Sequence, residues 1–450
     1  MVDRGIVGTV ERVTHAGNPA IPPSRDGALT GRDAGAQDRG MPRSRTVAIA
    51  LAVALSLVAL IAAGCRTEQT AGPSFPKRTK TEAGDPRAYR LGFSDTPWAL
   101  TDQATRQTYD LTANYGEVIL VQRPPSWADF VPGARLTDAT RDQAMALRDA
   151  TKSRDLQVAI VLDPFDPAAR DRLQKLPANY AGKDLSNGDL KHAFVQEAVF
   201  LAKNLRPAYL VLGNEVNATF ERNPGTYLSF VVAYKEAYDA VKTVAPETKV
   251  LPSFQYEEML GVIPDLPPHP PRWQLLKDYE GKMDLVGLTT YPSFAFNVAR
   301  KVPPTYYTVL REQTGLPIAF LSAGYASGPG RDNLNSSTPA EQRRFLQRLF
   351  EDADALGSPL VVWFAARDLS FATAPPYDLL ASLGLRDIGD RAKESWPLWE
   401  AASNRPYNPA AAEVIRLKRA TEAPGAQGEG TPTGSATPTG TPGASGTPTR

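Results

Sequence analysis

The sequence predicts a single (β/α)₈ TIM barrel of the α/β class with disordered N- and C-terminal extensions, and three observations carry that reading. Short apolar runs alternate with helical patterns eight times over roughly 320 residues, as a closed barrel of parallel strands requires. The runs are continuously apolar, which suits strands covered on both faces. An open doubly wound sheet would bring a Gly-rich phosphate turn after its first strand, and Leu91-Gly92-Phe93-Ser94-Asp95 is not one.

In order, the expected strands are Tyr89–Trp98, Glu117–Arg123, Leu156–Asp163, Tyr209–Glu215, Val250–Gln255, Leu285–Tyr291, Pro317–Ser322 and Leu360–Phe364. Two of the intervening helices have explicit starts. Asn223-Pro224 opens one whose stripe of Tyr227, Phe230, Val231, Tyr234 and Tyr238 is expected against the barrel wall. Thr338-Pro339-Ala340-Glu341 is a capping box followed by Phe345, Leu346, Leu349 and Phe350 on one face, and Gly357 supplies the stop.

The termini have a different character. Residues 1–40 are rich in Gly, Asp, Arg and Pro without periodicity, so they are expected to be disordered or to precede the true start, since Met41-Pro-Arg-Ser-Arg is a more ordinary beginning. Residues 41–65 read as an export signal. Arg43 and Arg45 precede an apolar stretch of about 18 residues, Val47 to Gly64, that ends at Cys65, the chain's one cysteine. Residues 66–87 suit a tether, 88–405 the barrel, and 406–450 a Thr/Pro/Gly-rich tail with little to bury. The segment before Cys65 resembles a bacterial lipobox, with Ala62 where Leu is usual; an uncleaved transmembrane anchor is the alternative. Both imply an extracytoplasmic domain held at the membrane, and a monomer is the expected state. A net charge of +1 gives no reason to expect nucleic acid, and with no His-x-x-x-His pair or cysteine cluster neither a metal nor a cofactor is expected.

The chemistry centres on Asn214-Glu215, at the C-terminal tip of the fourth run, where barrel enzymes keep their catalytic groups. Taken with Thr289-Thr290-Tyr291-Pro292 after the sixth run and Trp363 on the eighth, this order resembles glycoside hydrolase clan A, nearest to endo-β-1,4-galactanases and endo-β-1,3-glucanases. The resemblance implies that Asn214 holds a sugar hydroxyl, Glu215 is the acid/base, Tyr291 orients the nucleophile and Trp363 floors the subsite. It departs at the seventh run: Leu321-Ser322-Ala323-Gly324-Tyr325-Ala326-Ser327 puts Ser322 where the clan's nucleophilic carboxylate belongs. A retaining glycosidase needs two carboxyls about 5–5.5 Å apart, and a serine hydroxyl without a base cannot replace one. Glu257 and Glu258 after the fifth run and Asp163 and Asp166 after the third could each approach the bowl, and Asp163 and Glu257 are the alternative acids. Further candidates for sugar contact are Arg123, Trp98, Trp127, Gln255 and Asn217, with Phe165, Tyr256 and Phe294 as additional rings. The expectation is an oligo- or polysaccharide-binding barrel lacking retaining hydrolysis. Its alternatives are an active glycosidase or transglycosidase with an unrecognised second acid, and a cell-envelope structural or adhesion protein.

Overall fold

The computed structural model describes residues 77–414 except Asp265, Asn333 and Pro376. The expected export segment, Cys65 and the tail from Thr421 lie outside the described residues. Nine strand segments form one all-parallel sheet: β1 (Arg90–Ser94), β2 (Val118–Arg123), β3 (Gln157–Leu162), β4 (Tyr209–Leu212), β5 (Lys249–Leu251), β6 (Ser253–Gln255), β7 (Val286–Thr290), β8 (Ile318–Ala323) and β9 (Leu360–Trp363). Their spatial order is β5-β4-β3-β2-β1-β9-β8-β7-β6. Only Pro252 separates β5 from β6, so these two are halves of one strand. Proline donates nothing to a ladder, and β5 pairs with β4 while β6 pairs with β7. The Ser253 N–H continues to the Gly213 carbonyl at 3.1 Å, which closes a barrel of eight strand positions.

Outside the sheet lie α1 (Asp102–Tyr115), α2 (Trp127–Phe130), α3 (Asp138–Lys152), α4 (Gly188–Leu205), α5 (Val216–Arg222), α6 (Pro224–Val244), α7 (Tyr256–Leu260), α8 (Pro339–Leu356) and α9 (Trp396–Asn404). Helix α8 begins at Thr338, whose side chain accepts the Glu341 N–H, and ends at Gly357 with φ +60°, burying Phe345, Leu346, Leu349 and Phe350. Helix α6 is capped by Asn223 and buries Tyr227, Phe230, Val231 and Tyr234, while Tyr238 is half-buried and donates to Asp284. The expected alternation of eight strands with eight helices fails on one arc. After β6 come the five-residue α7, ended by Gly261, and a 3₁₀ helix, Trp273–Tyr279, and after β7 come three 3₁₀ turns, Pro292–Phe294, Ala299–Lys301 and Thr308–Glu312. Pro267, Pro268, Pro270 and Pro271 in the first arc and Pro303 and Pro304 in the second lack the N–H a longer helix needs.

The packed chain also begins before residue 88. Arg78 stacks on Tyr115 and bonds Ser403 and Asn404, and Arg87 is buried beside Glu117. Tyr407 follows α9 and lies under the guanidinium of Arg90, at the N-terminal end of the barrel.

Side-chain direction follows from register. Phe93 packs on Trp399 of α9 and Trp363 on Phe345 of α8, so both point outward, and Phe93 is paired with Trp363 in the sheet. By the period of two, Gly92, Ser94, Val362 and Phe364 point inward. Register then carries the inward set through Leu120 and Gln122 on β2 to Val161 on β3. On β8 a bulge moves the pairing from Leu288 with Phe320 to Thr289 with Ser322, and the extra residue, Leu321, lets Ser322 face the interior beside Thr289.

The chain leaves β4 through Gly213, φ +79°, and two residues later Glu215 also has positive φ, at +47°. A Cβ on Gly213 would lie 2.4 Å from Cζ of Phe230, whereas at Gly281, φ +72°, nothing lies within 4 Å. Gly213→Ala is therefore expected to destabilise the protein by about 2–4 kcal/mol and Gly281→Ala by about 1 kcal/mol. Chemical denaturation of the two variants checks this, and equal losses would refute the steric argument.

Candidate functional site

The turn Gly213-Asn214-Glu215 is pinned by the hydroxyl of Ser253, which donates to Asn214 Oδ1 at 2.6 Å and accepts the Glu215 N–H at 2.8 Å. This directs Glu215 into the mouth of the barrel, where Oε1 accepts from the Thr289 hydroxyl at 2.8 Å and Oε2 has no partner. The side chain is 1% exposed. Burial pushes its carboxyl up to about 8 against the opposing pull of Arg170 and Thr289, so it is protonated at neutral pH.

Beside it is a fully buried ion pair. Arg170 Nη1 donates to Asp163 Oδ2 at 2.7 Å, and Asp163 also receives Gln122 Nε2 at 3.3 Å and the N–H groups of Asn214 and Phe165. Arg170 comes from the long loop between β3 and α4 and has φ +56°. The loop is fastened by Gln174, whose Nε2 donates to the Asp163 carbonyl at 2.9 Å and whose own carbonyl accepts from Trp127 Nε1 at 2.8 Å. Across the mouth, the Tyr291 and Ser322 hydroxyls are 2.7 Å apart, and Phe364 stands edge-on to Tyr291 at 6.0 Å. Asn214, Glu215, Arg170, Tyr291 and Ser322 are all at 1% exposure or less, so this structure holds the mouth closed over them.

The remaining candidates are distributed as follows. Glu257 is saturated: Gln255 Nε2, the Thr290 hydroxyl, the Tyr291 N–H and the Tyr306 hydroxyl all donate to it, at 2.6 to 3.0 Å. Asp163 is similarly filled, so neither acid has an oxygen left for a catalytic water. Asn217 and Gln255 fasten α5 to β6, the Asn217 amide bonding both main-chain groups of Gln255, while the Gln255 side chain caps α7. Trp363 lies on the α8 side and donates to the Leu383 carbonyl at 2.7 Å, so the ring in the mouth is Phe364. Arg123 points outward to Glu197 of α4, whose carboxyl burial raises to about 7. Trp98 is half-buried under the Arg367 guanidinium, 4.3 Å away; Trp127 and Phe165 are buried, Phe165 against Phe230. Arg170, Ser253, Thr289 and Phe364 belong to the site without having been expected there. Phe364 alone had a local signal, in strand parity.

No family model matches the chain, and neither does any curated protein. Among solved structures it is similar to the exo-β-1,4-mannosidase Op5Man5 from Opitutaceae bacterium strain TAV5, with TM-score 0.52 and 16% identity over 78% of this chain and 64% of that one. The chain thus spans a little under two thirds of that enzyme's length. It is also similar to GH5_18 from Streptomyces cattleya in complex with GlcNAc, with TM-score 0.51 and 20% identity over 74% of this chain and 82% of that one. At such identities the likeness shows a shared fold, the β/α barrel found in these glycoside hydrolases.

The raised Glu215 carboxyl has a consequence for stability. The folded state holds this proton more tightly than the unfolded chain, so the contribution is complete below about 4.5, the ordinary value, and is lost as pH rises through about 8. Glu215→Gln removes the loss. The variant's melting temperature is expected to exceed the wild type's by a margin that grows between pH 5 and pH 8.5, and a margin independent of pH would show that Glu215 titrates normally.

Proposed function

We propose that the protein binds β-linked carbohydrate at the mouth of a glycosidase-like barrel and lacks retaining hydrolysis. The observation that carries this reading is the pairing of Ser322 with Tyr291: the inward residue of the seventh strand position is a hydroxyl bonded to a phenol. Glu215, protonated and partly unpartnered, has the state of a general acid; of the carboxyls whose charge bears on it, Glu258 is paired with Arg222 at 2.5 Å and Asp163 with Arg170 at 2.7 Å. The filled shells of Asp163 and Glu257 count against the alternative of an active enzyme using either as its second acid. A variant of the Streptomyces cattleya protein was solved with Manβ1-4GlcNAc, which makes β-linked mannosides a sensible first ligand class to try here.

Ser322→Glu is expected to raise hydrolysis of aryl β-glycosides by at least about 100-fold, by supplying the missing nucleophile opposite Glu215. Ser322→Asp serves if the larger side chain prevents folding. A folded variant of either kind with no gain on gluco-, galacto- and manno-configured substrates would refute the assignment of Ser322 to the nucleophile position.

We further propose that the domain acts outside the cytoplasm, anchored through Cys65. The support is the apolar stretch and the small residues before the cysteine. Radiolabelled palmitate should enter the wild-type chain in a bacterial host and be absent from Cys65→Ser; equal labelling would exclude this anchor.

A further inference from the structure

Arg170 presents an unused recognition edge. Its Nη1 is engaged by Asp163, while Nε and Nη2 have no partner, although the side chain is 0% exposed. These two atoms share one side of the guanidinium. Their N–H bonds run parallel at the spacing of two carboxylate oxygens, and this edge receives a carboxylate in bidentate fashion. Buried polar atoms are rarely left unpaired, so an edge with both of its donors unpaired points to a ligand. A second unpartnered donor, Asn214 Nδ2, is close by, since the Asn214 N–H bonds the same Asp163 carboxylate at 3.3 Å. The unpartnered acceptors there are Gln122 Oε1 and Glu215 Oε2.

The charges limit what can fill the edge. Asp163 is committed to Nη1, Gln122 and two main-chain N–H groups. Glu215, the other acid facing Arg170, is held protonated by its burial and leaves the cation to an incoming anion. The vicinal hydroxyls of a neutral sugar can also span the fork, but they bring no charge to meet the cation, as a carboxylate does.

Resting on the carbohydrate-binding reading, we infer that the site takes an acidic sugar, a β-linked uronic acid whose carboxylate docks on the Nε–Nη2 edge of Arg170. No bond is made or broken in this step; the carboxylate enters ionised and remains so.

The test is calorimetric titration of the full chain with matched β-linked disaccharides in gluco, galacto and manno configuration, each as the neutral sugar and with its non-reducing unit oxidised to the uronic acid. The acidic member of at least one pair is expected to bind about tenfold or more tightly than its neutral partner. In Arg170→Lys, which keeps the charge and loses the fork, that ratio is expected to fall towards one. A structural role for Arg170 would weaken both members alike and leave the ratio unchanged, overturning the inference. The double variant Arg170→Gln with Asp163→Asn removes both charges together, and should also lose the preference if the single variant does not fold. Equal affinity for acidic and neutral sugars in the wild type refutes the uronic-acid inference but leaves carbohydrate binding standing. Binding of neither kind refutes both.

Discussion

Closure of the barrel at its broken fifth strand position is the constraint on which the site depends. Pro252 ends pairing in one register, and Ser253 resumes it with its N–H on the Gly213 carbonyl. The same residue's hydroxyl bonds Asn214 and Glu215 together, so one side chain joins the last seam of the sheet to the turn that carries the acid. Two positive-φ residues in three would be poorly populated in a free loop. Here the turn is fixed on one side by the seam and on the other by Phe230, whose ring fills the space beside Gly213.

Desolvation sets the electrostatic character of the mouth. Glu215, Asp163 and Glu257 are all buried, and burial raises each of them, but they respond to different surroundings. Asp163 has a cation and three N–H donors, and Glu257 has four donors, so both behave as fasteners of adjoining strands. Glu215 has one neutral donor and an empty oxygen. A single type of group therefore serves as rivet twice and keeps a free oxygen once, the difference lying in the number of donors each carboxyl meets.

Most of the fold was legible in the sequence because buried parallel strands read as unbroken apolar runs and capped helices announce their ends, as at Thr338 and Gly357. The irregular arc after β6 and β7 was less so: its prolines stand in the sequence, but apolar spacing alone does not separate a helix from 3₁₀ turns packed by tyrosines such as Tyr256, Tyr306 and Tyr307. Within the site, Asn214 and Glu215 were visible because adjacency at a strand tip is a local signal. Trp363 and Arg123 show how finely parity divides a site, since a shift of one residue sends a side chain from the mouth to the outer layer. Arg170 carried no signal at all. It comes from a loop without regular secondary structure that is folded back by contacts of Gln174 with Asp163 and with the distant Trp127, and no apolar period marks such a fold.

The loop that brings Arg170 to Asp163 also governs what any affinity measured there would mean. If only conformers with the loop displaced admit a ligand, the apparent affinity equals the intrinsic one multiplied by the open fraction, about tenfold weaker for each 1.4 kcal/mol by which closure is favoured. Loosening the anchor at Gln174 would enlarge that fraction, and would also free Arg170 from the position that aims its fork. In this barrel affinity is set jointly by the groups that touch the ligand and by the hydrogen bonds that keep it out.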